Sequence, residues 1–132
     1  MAGEQNKEIV RRAVAALSRG DLEGFLADAA DDVTLYVMGT LFSPIQGKQK
    51  VLKGLRNTLG VRLEGGGAIA MTIENLIAEG DYVAEQARGR ARTKDGKDYN
   101  NTYCRVWQIN EGKIRSIHEY LDTELVRTCL MD

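Results

Sequence analysis

Glu119 is a carboxylate at a position where a buried strand would ordinarily carry an apolar residue. It lies in IRSIHEYLDT, residues 114 to 123, with Ile117 and Leu121 two positions to either side. Strand alternation puts all three side chains on one face, and two large aliphatics mark that face as the interior. A carboxylate desolvated there is suited to carrying a proton near neutral pH. His118, the only histidine, and Asp122 have the opposite parity. Adjacent strand residues point apart, so a His118–Glu119 dyad is not expected. His118 is expected on the outer sheet face, as a dimer contact or as a group titrating near neutral pH. Asp122 directly precedes Thr123 and Glu124 and reads as the N-cap of a closing helix.

Other residue types with chemical potential are scattered. Arg88 shares parity with Gln86, Arg90 and Arg92, opposite Ala87, Gly89 and Ala91. Arginines at period two mark a solvated or interface face, and small residues opposite allow close packing. Cys104 has Thr102 and Val106 as same-face neighbours and reads as a small buried hydrophobe, with no histidine or helix terminus nearby to form a thiolate. Tyr36, Tyr99 and Tyr103 are assigned, with Trp107, to the outward parity of their strands, which suits a sheet surface covered in a dimer. A register one residue out would instead make Tyr103 a pocket hydroxyl. One histidine and two cysteines 25 positions apart, Cys104 and Cys129, give no metal-ligand spacing. Gly65, Gly66 and Gly67 lack the strand-to-helix setting and the lysine of a phosphate-binding loop, so no cofactor is expected.

These residues need elements to hold them. The chain has 132 residues, 43% of them hydrophobic, which suits one domain spanning 1–132. Eighteen basic and nineteen acidic residues leave a formal charge of −1, with no basic block to meet a row of phosphates, so nucleic acid is not expected as a partner. Apolar runs are far shorter than the roughly 20 residues that cross a bilayer, and a cytoplasmic protein with reduced thiols and no membrane partner is expected.

Ile9, Val10, Ala13, Val14 and Leu17 recur at helical spacing over Glu4 to Arg19, and Gly20 supplies a left-handed stop. Asp21 caps a short second helix running to about Ala30, with Leu22, Phe25 and Leu26 inward. Val33, Leu35 and Val37 alternate as a strand, and Gly39 to Gly47 reads as a loop around Pro44, the only proline. Lys48 to Leu59 is a third helix. Beyond the glycines, turns at Gly80–Asp81, KDGK (94 to 97) and NEGK (110 to 113) divide the rest into a meander of strands, with a closing helix over Asp122 to Met131. Helices followed by a long antiparallel sheet predict an α+β domain whose helices cover one sheet face and enclose a cavity.

GDLEGFLADAADDVTLY, IQGKQKVLKGL and NNTYCRVWQINEGKIRSIHEYLD together resemble, over nearly the whole chain, the SnoaL-like branch of the NTF2-like superfamily. That superfamily also holds ketosteroid isomerases and limonene epoxide hydrolases. The resemblance implies a conical barrel, a curved antiparallel sheet wrapped around a deep apolar pocket under three N-terminal helices, often dimerised through the outer sheet face. It does not imply one activity, because the fold hosts isomerases, cyclases, hydrolases and binding domains. The isomerase positions for a tyrosine and two aspartates fall on Ala13, Val37 and Cys104, which lack that chemistry. The epoxide hydrolase positions fall on Leu35, Val37, Gln86, Arg88 and Glu119, and only Glu119 keeps its chemistry.

By that alignment Arg88 is the arginine deepest in its strand, and so the expected carboxylate partner of Glu119 or a clamp for a substrate anion. A structural Glu119–Arg88 ion pair, or a solvent-facing Glu119, is the alternative. Asn100 and Thr102 would line the inner face near the wide end of the cone and orient a ligand oxygen. The expected site therefore has Glu119 and Arg88 as catalytic residues, with Leu17, Phe25, Val37, Gln86, Asn100, Thr102, Cys104, Ile117 and Leu121 around a small apolar substrate. General acid/base catalysis without a cofactor is one reading. A small-molecule-binding module and a dimeric structural or assembly domain are the others.

Overall fold

The computed structural model describes residues 2–131. Helix α1 (Ala2–Ser18) turns Ile9, Val10, Ala13, Val14 and Leu17 to the interior, as the helical spacing predicts. Gly20 ends it at φ 74°, and a Cβ there would meet the Gly65 carbonyl oxygen at 2.5 Å, so only glycine fits this stop. Asp21 caps α2 (Leu22–Phe25), its Oδ1 accepting from the Gly24 N–H at 2.8 Å.

That second helix is shorter than the spacing predicts, because Ala29 and Ala30 are already drawn into strand β1 (Ala29–Val37). The Ile114 N–H donates to the Asp28 carbonyl, which pulls the chain out of the helix and alongside the last strand. A two-residue strand β2 (Ile45–Gln46) returns on β1, and α3 (Lys48–Leu55) follows. The helical spacing predicts that α3 runs on to Leu59 in regular form. It opens instead into a wider turn over Arg56–Gly60, where the Thr58 hydroxyl bonds the Gly54 carbonyl at 2.9 Å.

The meander is present as β3 (Ala70–Glu79), β4 (Tyr82–Arg90), β5 (Thr102–Asn110) and β6 (Lys113–Leu121), closed by α4 (Thr123–Leu130). Asp122 caps α4, accepting from the N–H groups of Glu124 and Leu125. The sheet order is β2-β1-β6-β5-β4-β3, with β1 and β6 parallel and all other neighbours antiparallel. The sheet stays open at β2 and β3. Register shifts in the β1–β6, β3–β4 and β5–β6 pairs are the irregularities that curve such a sheet. Helix α1 packs on β3 and β4, and α3 packs on β1, so the helices and the concave sheet face share one apolar core.

Two side chains tie the parts that frame the interior. Ser18 Oγ accepts from the Met71 N–H at 3.0 Å, anchoring the end of α1 to β3. Asn101, 1% exposed, bonds the Tyr99 hydroxyl and the Asp122 carbonyl through Nδ2, and accepts from the N–H groups of Thr102 and Asp122 through Oδ1. It thereby locks the start of β5 to the end of β6. Among the described residues no helix is long and apolar enough to cross a membrane.

Candidate functional site

Strand register brings one residue from each of three neighbouring strands into a row. Glu85 on β4 pairs directly with Arg105 on β5, and Arg105 pairs directly with Glu119 on β6. All three side chains point to the concave face. Arg105 Nε donates to Glu119 Oε2 at 2.7 Å, and Nη1 donates to Glu85 Oε2 at 2.8 Å. Trp107 Nε1 donates to the remaining Glu85 oxygen at 2.9 Å. Both Glu85 oxygens thus accept a bond and its side chain is sealed at 0% exposure, Arg105 is at 1%, and Glu119 at 17% is the most exposed member of the row. Its Oε1 takes no hydrogen bond from any described residue.

The guanidinium is held electrostatically as well as geometrically. Burial disfavours its charge, but Glu85 first and Glu119 second more than offset this and hold Arg105 above its ordinary value. The Tyr103 ring lies under the guanidinium at 4.4 Å from its centroid, adding a cation–π contact.

The cavity holds about 140 Å³ and opens among α1, α3, α4 and the concave sheet face. Its walls are mostly apolar, including Phe42, Ile45, Val51 and Ile69, and its polar groups come from Tyr99, Tyr103, Arg105, Glu119 and Thr58. Burial pushes the Tyr99 phenol up to about 12, and pushes Tyr103 further in the same direction. Both are neutral donors at physiological pH.

Of the residues expected at the site, Glu119, Leu17, Phe25, Val37 and Leu121 line this cavity. Ile117 is fully buried beneath it. The others lie elsewhere. Arg88 is 66% exposed and pairs with Glu74 at 3.0 Å, because β4 turns Val83, Glu85, Ala87 and Gly89 inward and the arginines outward. Gln86 bonds Asn75 on the outer face. Cys104, Thr102 and Gln86 border a shallow outer depression with Tyr120 and Glu74. Asn100 is exposed and accepts from the Ala91 N–H through Oδ1.

For Thr102 and Cys104 the cause is the parity of β5, which is opposite to the expected one. Tyr103, Arg105, Trp107 and Ile109 face inward, with Trp107 and Ile109 at 0% exposure. Tyr99 is likewise inside, so these three aromatics leave the outer face and the one-residue alternative for Tyr103 is the one observed. Tyr36 and His118 do lie outward. They are paired in register and stacked, with ring centroids 4.1 Å apart. Gly89 is inward for a packing reason: a Cβ there would meet Ile69 Cγ2 at 2.5 Å and Tyr103 Cε1 at 3.0 Å.

Glu85, Arg105, Tyr99 and Tyr103 were not among the expected site residues. The available signal was bulk. Trp107 and Ile109 are too large and apolar to leave exposed together, and both share parity with Arg105 and Tyr103. Among the described residues no group of three His, Cys, Asp or Glu is placed to hold a metal ion.

The model of the SnoaL-like domain family matches residues 10–117. No curated protein matches the chain in sequence. Among solved structures, an NTF2-like protein of unknown function from Burkholderia pseudomallei K96243 is 20% identical, covering 97% of this chain and 98% of its own, with a TM-score of 0.82. An LEH-like epoxide hydrolase from M. tuberculosis is 20% identical over 98% of this chain and 92% of its own, with a TM-score of 0.79. A candidate SnoaL-like polyketide cyclase from Jannaschia sp. CCS1 is 14% identical over 97% and 92%, with a TM-score of 0.80. At these identities the likeness is one of fold.

Proposed function

Because the chain belongs to the SnoaL-like family, we propose that it is a cofactor-independent enzyme acting by general acid/base catalysis on a small, mostly apolar molecule held in a cone-shaped pocket beneath the helices. The reaction class is isomerisation, cyclisation or hydrolysis. One observation carries this reading. Glu119 meets an apolar cavity with Oε2 fixed by Arg105 and Oε1 free, which is the arrangement of an oriented proton acceptor. In an isomerase or cyclase, Oε1 would take a proton from carbon beside a carbonyl and return it elsewhere. In a hydrolase, of the kind named for the M. tuberculosis neighbour, it would take a proton from an attacking water.

Arg105 is the positioning residue in this account. Its bond to Glu119 orients that carboxylate, and its bond to Glu85 holds the guanidinium in place. Arg88, on the outer face, has no part in it.

A binding module using the same cavity without chemistry is the second reading. It is favoured by Ala13 and Val37, which are apolar where the resemblance would put an isomerase tyrosine and an acid, while Cys104, the third such position, lies on the outer face. A thermal-shift screen of small uncharged compounds, followed by incubation and mass analysis of each binder, separates the two: a product supports catalysis, and unchanged ligand supports binding. We further propose a homodimer through the outer sheet face, supported by the stacked Tyr36–His118 pair and the exposed Tyr82 and Tyr120. Sedimentation at micromolar concentration gives a dimer mass if this holds and a monomer mass if it does not.

A further inference from the structure

Tyr103 is 6% exposed and lines the cavity, yet its hydroxyl is the one buried side-chain polar atom among the described residues with no hydrogen-bond partner. Such a group costs stability, so a protein that keeps one has a use for it or fills the vacancy when a ligand arrives. The Tyr99 hydroxyl is near enough to interact with it and accepts from Asn101 Nδ2 at 3.2 Å, but no bond of proper geometry joins the two phenols. Tyr103 pairs in register with Leu121, and Arg105 with Glu119, which makes Tyr103 and Glu119 diagonal neighbours on one sheet face. Diagonal residues stand about 7–8 Å apart at the backbone, close enough for both side chains to reach a single functional group.

We infer that Tyr103 is the cavity's hydrogen-bond donor to an oxygen of the ligand, and that the ligand is an uncharged, monocyclic-sized molecule carrying a carbonyl or comparable acceptor oxygen. This rests on the reading of the cavity as a small-molecule site. The donor is neutral, because burial holds the phenol protonated. An anionic ligand would bring a second negative charge beside Glu119 in apolar surroundings, which is strongly unfavourable. Size follows from the volume: about 140 Å³ is close to the roughly 150 Å³ apolar cavity that accommodates benzene.

The test uses two probes of one shape, cyclohexanone and methylenecyclohexane, titrated by NMR into the wild-type protein, Tyr103→Phe and Glu119→Gln. The ratio of the two dissociation constants isolates the oxygen. In Tyr103→Phe the preference for the ketone is expected to fall roughly fivefold to tenfold, while methylenecyclohexane binds as before or better. Ligand-free Tyr103→Phe is expected to melt a few degrees higher than wild type, because an unsatisfied hydroxyl has been removed. An unchanged ketone preference in Tyr103→Phe, with the hydrocarbon still bound, overturns the role of Tyr103 and leaves the cavity reading standing. Failure of both probes to bind wild type overturns both. A lower melting temperature or loss of folding in Tyr103→Phe would show a structural hydroxyl, and also overturns the inference.

Discussion

Arg105 and Glu119 face each other directly across β5 and β6, joined by a 2.7 Å bond from Nε to Oε2. The same guanidinium reaches the next strand at Glu85, so one cation serves two carboxylates inside the protein. Such a row is stable only while complete. Its charges have lost most of their hydration, and each depends on its neighbours to offset that loss.

Removing the cation is therefore expected to be severe. Arg105→Met should cost about 3–5 kcal/mol in a urea unfolding experiment, since it strands the buried Glu85. Adding Glu85→Gln to Arg105→Met should recover part of the loss, because the stranded charge goes with it. A cost below about 1 kcal/mol for Arg105→Met would mean that water already solvates the two carboxylates.

Alkaline pH should weaken the fold through Tyr99. Burial raises its phenol from 10.0 to about 12, so between these values the folded state holds a proton that the unfolded state has released. The associated stability is complete below pH 10 and is lost as pH rises through about 12, a change of roughly 2–3 kcal/mol. Denaturant melts between pH 9 and 12 should show this decline, with a shallower slope in Tyr99→Phe. An equal slope in the two proteins would show that Tyr99 is not the source.

The β5–β6 turn carries a correctable strain. Glu111 and Gly112 both adopt positive φ, 52° and 74°, the geometry of a two-residue hairpin turn that prefers asparagine and glycine. Glu111 is exposed and lies outside the cavity. Glu111→Asn should stabilise the protein by up to about 1 kcal/mol without altering probe binding. Thermal melts of the two proteins check this, and a lower melting temperature would contradict it.

Much of this arrangement could be read from the chain, and the parts that could not share a cause. Gly20, Asp21 and Asp122 mark helix ends through local backbone needs, which the sequence states directly. The inward Glu119 was readable because Ile117 and Leu121 flank it at strand period. Its partner was not, because the Arg105–Glu119 contact depends on register between strands and on the parity of β5. Thr102, Cys104 and Val106 on one face compete with Tyr103, Arg105 and Trp107 on the other, and both sets suit a strand. A charged residue at 105 favours the solvent assignment until its two carboxylates are seen beside it. The alternation that places Arg88 outward is the same alternation that places Glu85 inward, so the parity of β4 decides both.

The most direct test of Glu119 as the proton-carrying group is turnover of a compound found by the binding screen, compared between wild type and Glu119→Gln. The amide keeps the shape and can still meet Arg105 through its carbonyl oxygen, but it cannot take up the proton. A fall in kcat of about 10²-fold or more with probe binding retained is the predicted result. Undiminished kcat in Glu119→Gln would remove Glu119 from the chemistry and contradict the account.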